Sequence, residues 1–146
     1  MNILGIIPAR SNSKGIKNKN IKIINGKELI YYTIKRAKES KLISHLISST
    51  NSNKYRKIFN KYGIWTPKLR PRKFSNDTSN IIDTLIHETK LVEKLKDIKF
   101  DFVVLLQVTS PNRKKWEIDN NLKKIIKNNF DSLISLCPLN STHPEK

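Results

Sequence analysis

The run ILGIIP, residues 3–8, is nearly all apolar, rich in β-branched side chains, and passes directly into the polar stretch ARSNSKGIKNKN. A strand apolar at almost every position must be covered on both faces, which places it inside a sheet rather than on an amphipathic hairpin. The rest of the chain alternates accordingly. NGKELIYYTIKRAKESK follows an Asn-Gly turn and carries Leu29, Ile30, Thr33, Ile34 and Ala37 at helical spacing. HLISST reads as a second strand, and SNKYRKIFNKYG as a helix with Ile58, Phe59 and Tyr62 on one side and Gly63 at its C-cap. Pro67 and Pro71 make TPKLRPRKFSNDTSN a loop. IIDTLIHETKLVEKL is then an amphipathic helix, with Ile82, Leu85, Ile86, Thr89, Leu91 and Val92 available for burial and N-cap candidates between Asp77 and Asn80. DFVVLLQ is a strand, residues 117–127 form a helix, and DSLISL reads as a last strand. Strands alternating with helices predict an α/β fold with a mostly parallel sheet, helices on both faces and right-handed crossovers.

With 146 residues, 37% of them hydrophobic, the chain suits one domain spanning 1–146. A single cysteine, Cys137, excludes an intrachain disulfide, and the scattered histidines give no zinc spacing, so a reducing, cytoplasmic setting is expected. The N-terminus lacks the basic lead of a signal peptide, and no segment approaches the roughly 20 apolar residues of a membrane span. The formal charge of +17 raises the possibility of a nucleic-acid-binding domain. Lysines occur in nearly every segment, however, which reads as a composition-wide bias rather than a patch, and no nucleic-acid motif accompanies them.

In open parallel sheets, ligands bind beyond the carboxyl ends of the strands. The loops there are ARSNSKGIKNKN, STNS, TSPNR and CPLNSTHP, the most hydroxyl-rich and proline-marked stretches of the chain. The first gathers Arg10, Ser11, Ser13, Lys14, Gly15, Lys17, Lys19 and Asn20, the cations and small residues that a phosphate chain requires. It has neither the Walker spacing nor a dinucleotide fingerprint. From composition alone a phosphate cradle and a solvated basic loop remain equally open.

IIPARSNSKGIKNKNI resembles the signature loop of the acylneuraminate cytidylyltransferases, and GKELIYYTIKRAKES, LRPRKFSNDTS and LLQVTSPNR are similar to that family's successive blocks, in order. The resemblance implies a three-layer, Rossmann-like nucleotide-diphospho-sugar transferase fold and transfer of CMP from CTP to a nine-carbon, sialic-type acid, with Mg2+ assisting. On it, Arg10, Ser13, Lys14, Gly15, Lys19, Asn20, Arg70 and Asp77 fall on nucleotide-binding positions. Arg10 and Lys19 among them would stabilise charge on the α-phosphate and departing pyrophosphate. Gln107, Thr109, Ser110 and His143 correspond to the sugar-acid side. The first loop differs from that of the related ketodeoxyoctonate enzymes.

Three departures qualify the resemblance. Asn51 stands where the family usually has an aspartate, and Val108 and Asn112 replace the usual residues of the block that retains Thr109, Ser110, Pro111 and Arg113. The sequence ends before the family's metal-binding aspartate pair and dimer-forming extension, so no metal ligand is assigned and a homodimer is only a possibility. A truncated, non-catalytic CTP-binding remnant or partnered module is therefore the alternative expectation. His45 and His87 are expected to be structural or surface residues, and Trp65 and Trp116 to pack at loop edges.

Overall fold

The computed structural model describes residues 1–11 and 15–136. Its main sheet has three parallel strands in the order β4-β1-β5: β1 is Ile3–Pro8, β4 is His45–Ser49 and β5 is Phe102–Leu105. Between β1 and β4 lie a small antiparallel ribbon, β2 (Ile23–Ile24) with β3 (Lys27–Glu28), and helix α1 (Leu29–Lys38). Helices α2 (Asn53–Lys61) and α3 (Ile81–Lys96) precede β5, and α4 (Glu117–Lys127) follows it.

Central β1 explains the apolar run. Ile3, Ile7 and Ala9 face a core built with Ile30 and Ile34 of α1, Tyr55 and Phe59 of α2, and Leu122 and Ile125 of α4. Leu4 and Ile6 face the opposite layer, with Ile47 and with Val92 of α3. Helices therefore cover both faces, as the uninterrupted hydrophobic pattern requires. At Gly5 a Cβ would come within 2.9 Å of Leu46 Cδ1 and 3.2 Å of Ile43, so any other residue there would require those side chains to shift.

Local chemistry sets most element ends. Asn25 and Gly26 both have positive φ, 47° and 75°, the geometry of a tight hairpin turn that joins β2 to β3. In α1 the five residues expected on the buried face, Leu29, Ile30, Thr33, Ile34 and Ala37, are the buried ones. Ser52 caps α2 by accepting from Tyr55 N, and Gly63, at φ 67°, ends it by donating to Asn60 O. Asn80 rather than Asp77 caps α3, its Oδ1 accepting from Ile82 N at 2.9 Å. Among the described residues, no helix is long and apolar enough to cross a membrane.

Two expectations are corrected. In α3, Ile82 and Ile86 are about half exposed, whereas Thr84, Glu88 and Val92, spaced four apart, are buried. Residue type pointed to the isoleucines, but the buried stripe of α3 passes the end of β4, where Glu88 meets Ser49, and the 3-10 turn, where Thr84 Oγ1 donates to Phe74 O at 3.5 Å. The segment 131–136 forms no strand; Ile134 and Leu136 are exposed. Strand propensity is realised only through ladder partners, and this segment instead attaches to α4 through Asn121 Nδ2, which donates to Ser135 Oγ at 3.0 Å.

Candidate nucleotide site at the carboxyl edge of the sheet

The loops that follow β1, β4 and β5 leave the same edge of the sheet, as parallel pairing demands. Ala9 N donates to Ser49 O at 2.9 Å, extending the β1–β4 ladder by one step before the first loop departs. Two side chains then hold that loop at its root. Asn51 Oδ1 accepts from Ser11 N at 3.0 Å and from Ser11 Oγ at 3.3 Å, and buried Asn20 donates its Nδ2 to Arg10 O at 3.1 Å. Asn51, the replacement for the expected aspartate, thus has a defined task that needs only an acceptor. Lys19 opens a short 3-10 turn, Lys19–Ile21, whose middle residue is that anchored Asn20.

The proline-marked loop reaches the site by running along the outer edge of β4. Ser48 N donates to Trp65 O at 2.9 Å and Arg70 N to Thr50 O at 2.8 Å. Inward of that edge, Ser48 Oγ and Thr66 Oγ1 lie 2.6 Å apart, so the buried hydroxyls satisfy each other. Beyond Pro71 the loop makes only one 3-10 turn, Arg72–Phe74. This route delivers Arg70 and Asp77 to the sheet edge.

Arg70 is 6% exposed. Its Nε donates to Ser49 Oγ at 2.9 Å, its Nη2 to Ser49 O at 2.5 Å and its Nη1 to Phe74 O at 3.4 Å. Burial, and secondarily the neighbouring Arg10 charge, pulls the guanidinium down to about 10, with Glu88 opposing. It stays cationic at neutral pH. Arg10 Nη2 lies 2.8 Å from Asp77 Oδ1, both side chains about one-third exposed. Two arginines from different loops, each fixed by its own partner, present guanidinium donors at one edge of the sheet, the group that binds phosphate oxygens.

Past β5, Leu106 N still pairs with Ile6 O, after which Gln107 turns out to solvent. The Gln107 carbonyl accepts from Thr33 Oγ1, and its side-chain Oε1 accepts from Thr109 Oγ1, both at 3.4 Å. Thr109 and Ser110 are exposed beside it. Arg113 is held partly buried, which lowers its affinity for its proton while nearby Glu117 opposes the effect.

Arg10, Asn20, Lys19, Arg70 and Asp77 therefore gather around the ends of β1 and β4, with Gln107, Thr109 and Ser110 at the end of β5. Ser13, Lys14 and His143 lie outside the described residues. Gly15 is exposed, and an added Cβ there would meet none of the described residues within 4 Å. Sequence reasoning missed Ser49 and Glu88. The available signal was a carboxylate on the buried stripe of an amphipathic helix, one turn before Val92.

Comparison with known proteins agrees with this architecture. The chain is 37% identical over 139 residues to a CMP-N,N'-diacetyllegionaminic acid synthase of Legionella pneumophila, covering 95% of this chain and 59% of that protein. It is 35% identical to an N-acylneuraminate cytidylyltransferase of Streptococcus agalactiae, covering 95% of this chain and 32% of the relative. The chain thus spans three-fifths or less of the length of these relatives. A CMP:2-keto-3-deoxy-manno-octonic acid synthetase solved with CTP shares the fold, at TM-score 0.69 and 19% identity, over 88% of this chain and 49% of that one. Because the sequence model described as cytidylyltransferase matches residues 4–138, nearly every element that builds the sheet edge and its loops, the chain belongs to the cytidylyltransferase family.

Proposed function

We propose that this chain supplies the CTP site of an enzyme that transfers CMP to a nine-carbon, sialic-type acid and releases pyrophosphate. The supporting observation is the pair Arg10 and Arg70, held by Asp77 and Ser49 at the carboxyl edge of the sheet. Related proteins whose names specify legionaminic and acylneuraminic acids support the substrate class. In the reaction, the anomeric hydroxyl of the sugar acid bonds to the α-phosphorus as the bond to the β-phosphate oxygen breaks. The hydroxyl proton passes to solvent water and pyrophosphate departs. Arg10, Arg70 and Lys19 bind the phosphates and offset the charge that grows on the leaving group. Gln107, Thr109 and Ser110 offer amide and hydroxyl groups to the sugar acid.

Magnesium enters this reading only through the family resemblance. Among the described residues, no three His, Cys, Asp or Glu side chains come together to hold an ion, and Asp77 is engaged by Arg10. The same reading places the enzyme in the cytoplasm, supplying activated sugar for lipopolysaccharide or capsule, with a homodimer as its possible assembly.

Calorimetric titration with CTP, ATP and UTP, followed by a pyrophosphate-release assay with sialic, legionaminic and pseudaminic acids, tests the proposal. Selective CTP binding with release supports it. Selective binding without release identifies the non-catalytic CTP-binding module instead. Absence of CTP binding by the folded chain rejects both, and a steeply salt-dependent affinity for duplex DNA would then point to its basic surface.

A further inference from the structure

Glu88 is 1% exposed on the sheet-facing side of α3, one turn before Val92 of the apolar layer. A carboxylate in such a place is costly unless hydrogen bonds serve it. Glu88 Oε1 accepts from Ser49 Oγ at 2.6 Å, whereas among the described residues its Oε2 has no hydrogen-bond partner. The same Ser49 oxygen accepts from Arg70 Nε at 2.9 Å. A guanidinium can only donate, so Ser49 must accept from it, and the single hydroxyl proton is directed to Glu88. With Glu88 ionised, the chain Arg70 Nε–H to Ser49 O–H to Glu88 runs in one direction.

We propose that Glu88 is a positioning residue of the nucleotide site, fixing the guanidinium plane of Arg70 through the Ser49 hydroxyl. This deepens the reading of the site as a CTP cradle and rests on it for the identity of the ligand. Glu88 locks the hydroxyl rotor and makes the oxygen a stronger acceptor, as linked hydrogen bonds polarise one another. With Nε on Ser49 Oγ, Nη2 on Ser49 O and Nη1 on Phe74 O, one N–H on each terminal nitrogen has no hydrogen-bond partner among the described residues. Ser49 O also accepts from Ala9 N, so the same residue ties Arg70 to the root of the loop that carries Arg10. The ionised Glu88 carboxylate favours the cationic form of Arg70 and so offsets the repulsion from Arg10.

The test uses the full chain with three substitutions. Glu88→Leu keeps the volume and removes the acceptor; Ser49→Ala removes the relay; Glu88→Gln keeps an acceptor for Ser49 without the charge. Calorimetric CTP titration should show affinity weakened about tenfold in Glu88→Leu and in Ser49→Ala, with no further loss when the two are combined. Glu88→Gln should restore affinity to within about threefold of the parent, a rescue that a general structural defect would not give. A second readout needs no nucleotide: in chain labelled with 15N-arginine, the Arg70 Nε proton should exchange slowly with water in the parent and in Glu88→Gln, and rapidly in the other two. If the parent binds no CTP, the reading of the site as a CTP cradle fails, and the Arg70 signal alone decides whether Glu88 positions Arg70. Retained Arg70 protection in Glu88→Leu overturns the proposal, whatever Ser49→Ala shows, because Ser49 alone would then hold the guanidinium. So does unchanged CTP affinity in variants that have lost the protection.

Discussion

Arg10 and Asp77, 67 positions apart in sequence, meet at 2.8 Å and bind the loop after β1 to the loop before α3. Pairs this exposed contribute about 0–1 kcal/mol to stability, because water and salt screen them. The value of the pair lies instead in where it holds a cation.

Replacing Arg10 with Ala should therefore leave the urea midpoint within the change expected of about 1 kcal/mol. CTP affinity should fall by roughly tenfold or more, as for loss of a charge-assisted bond to phosphate. Denaturation and calorimetry on the same preparation separate the two effects. A large stability loss with unchanged affinity would reassign Arg10 to a structural role.

Asn51 supplies one oxygen that accepts twice from Ser11. Nothing in that arrangement uses its amide protons, so Asn51→Asp should fold with stability within about 0.5 kcal/mol of the parent, whereas Asn51→Ala should lose about 1 kcal/mol. Urea denaturation gives both values. Equal losses in the two variants would mean that the Ser11 contact does not depend on the acceptor.

Glu88 makes a pH signature. Burial raises its proton affinity above the ordinary carboxylate range, with Ser49, His87 and Arg70 opposing. Between its ordinary and raised values the folded state binds more protons than the unfolded one, so this group makes stability fall as pH rises through that window, by at most about 1.4 kcal/mol per pH unit. Glu28 and Asp119 act in the other direction: hydrogen bonds from Tyr62 and from Ser40 hold their proton affinities low, and their contribution is lost as pH falls below the ordinary carboxylate range. Subtracting the unfolding free energy of Glu88→Gln from that of the parent at each pH isolates the Glu88 component. The difference should favour the parent increasingly as pH is lowered toward the ordinary carboxylate range. A flat difference would show that Glu88 titrates alike in both states.

Much of this was legible because the relevant signals are local. The uninterrupted apolar run of β1, the α1 stripe from Leu29 to Ala37, the Asn25-Gly26 turn and the glycine at position 63 each carry their reason within a few residues. The edge of the sheet that bears the loops follows from parallel pairing alone. What was not legible depends on contacts between distant segments. Ser49 and Glu88 meet only because α3 crosses the end of β4, and no spacing rule connects them. The isoleucines of α3 misdirected the burial assignment for the same reason: the stripe is set by what the sheet presents, and there it presents hydroxyls and an arginine. Residues 131–136 have strand-like composition but no ladder partner, and pairing cannot be read from one segment.

Lys19 and Asn20 are neighbours with opposite assignments, which makes them the sharpest test of the first loop. Asn20 is buried and donates to the Arg10 carbonyl, so it anchors the loop from inside. Asn20→Ala should cost about 1–3 kcal/mol of stability, since the Arg10 carbonyl loses its donor. CTP affinity should fall along with it as Arg10 loses its setting. Lys19 is half-buried at the start of the 3-10 turn and carries the charge rather than the anchor. Lys19→Ala should leave the unfolding midpoint nearly unchanged and lower CTP affinity several-fold, with a weaker dependence on salt than the parent because one phosphate-binding cation is gone. Titrations at low and moderate salt, run beside thermal unfolding, measure all of these. If Lys19→Ala binds CTP as the parent does at both salt concentrations, the loop does not hold the triphosphate through this lysine, and the burden falls on Arg10 and Arg70.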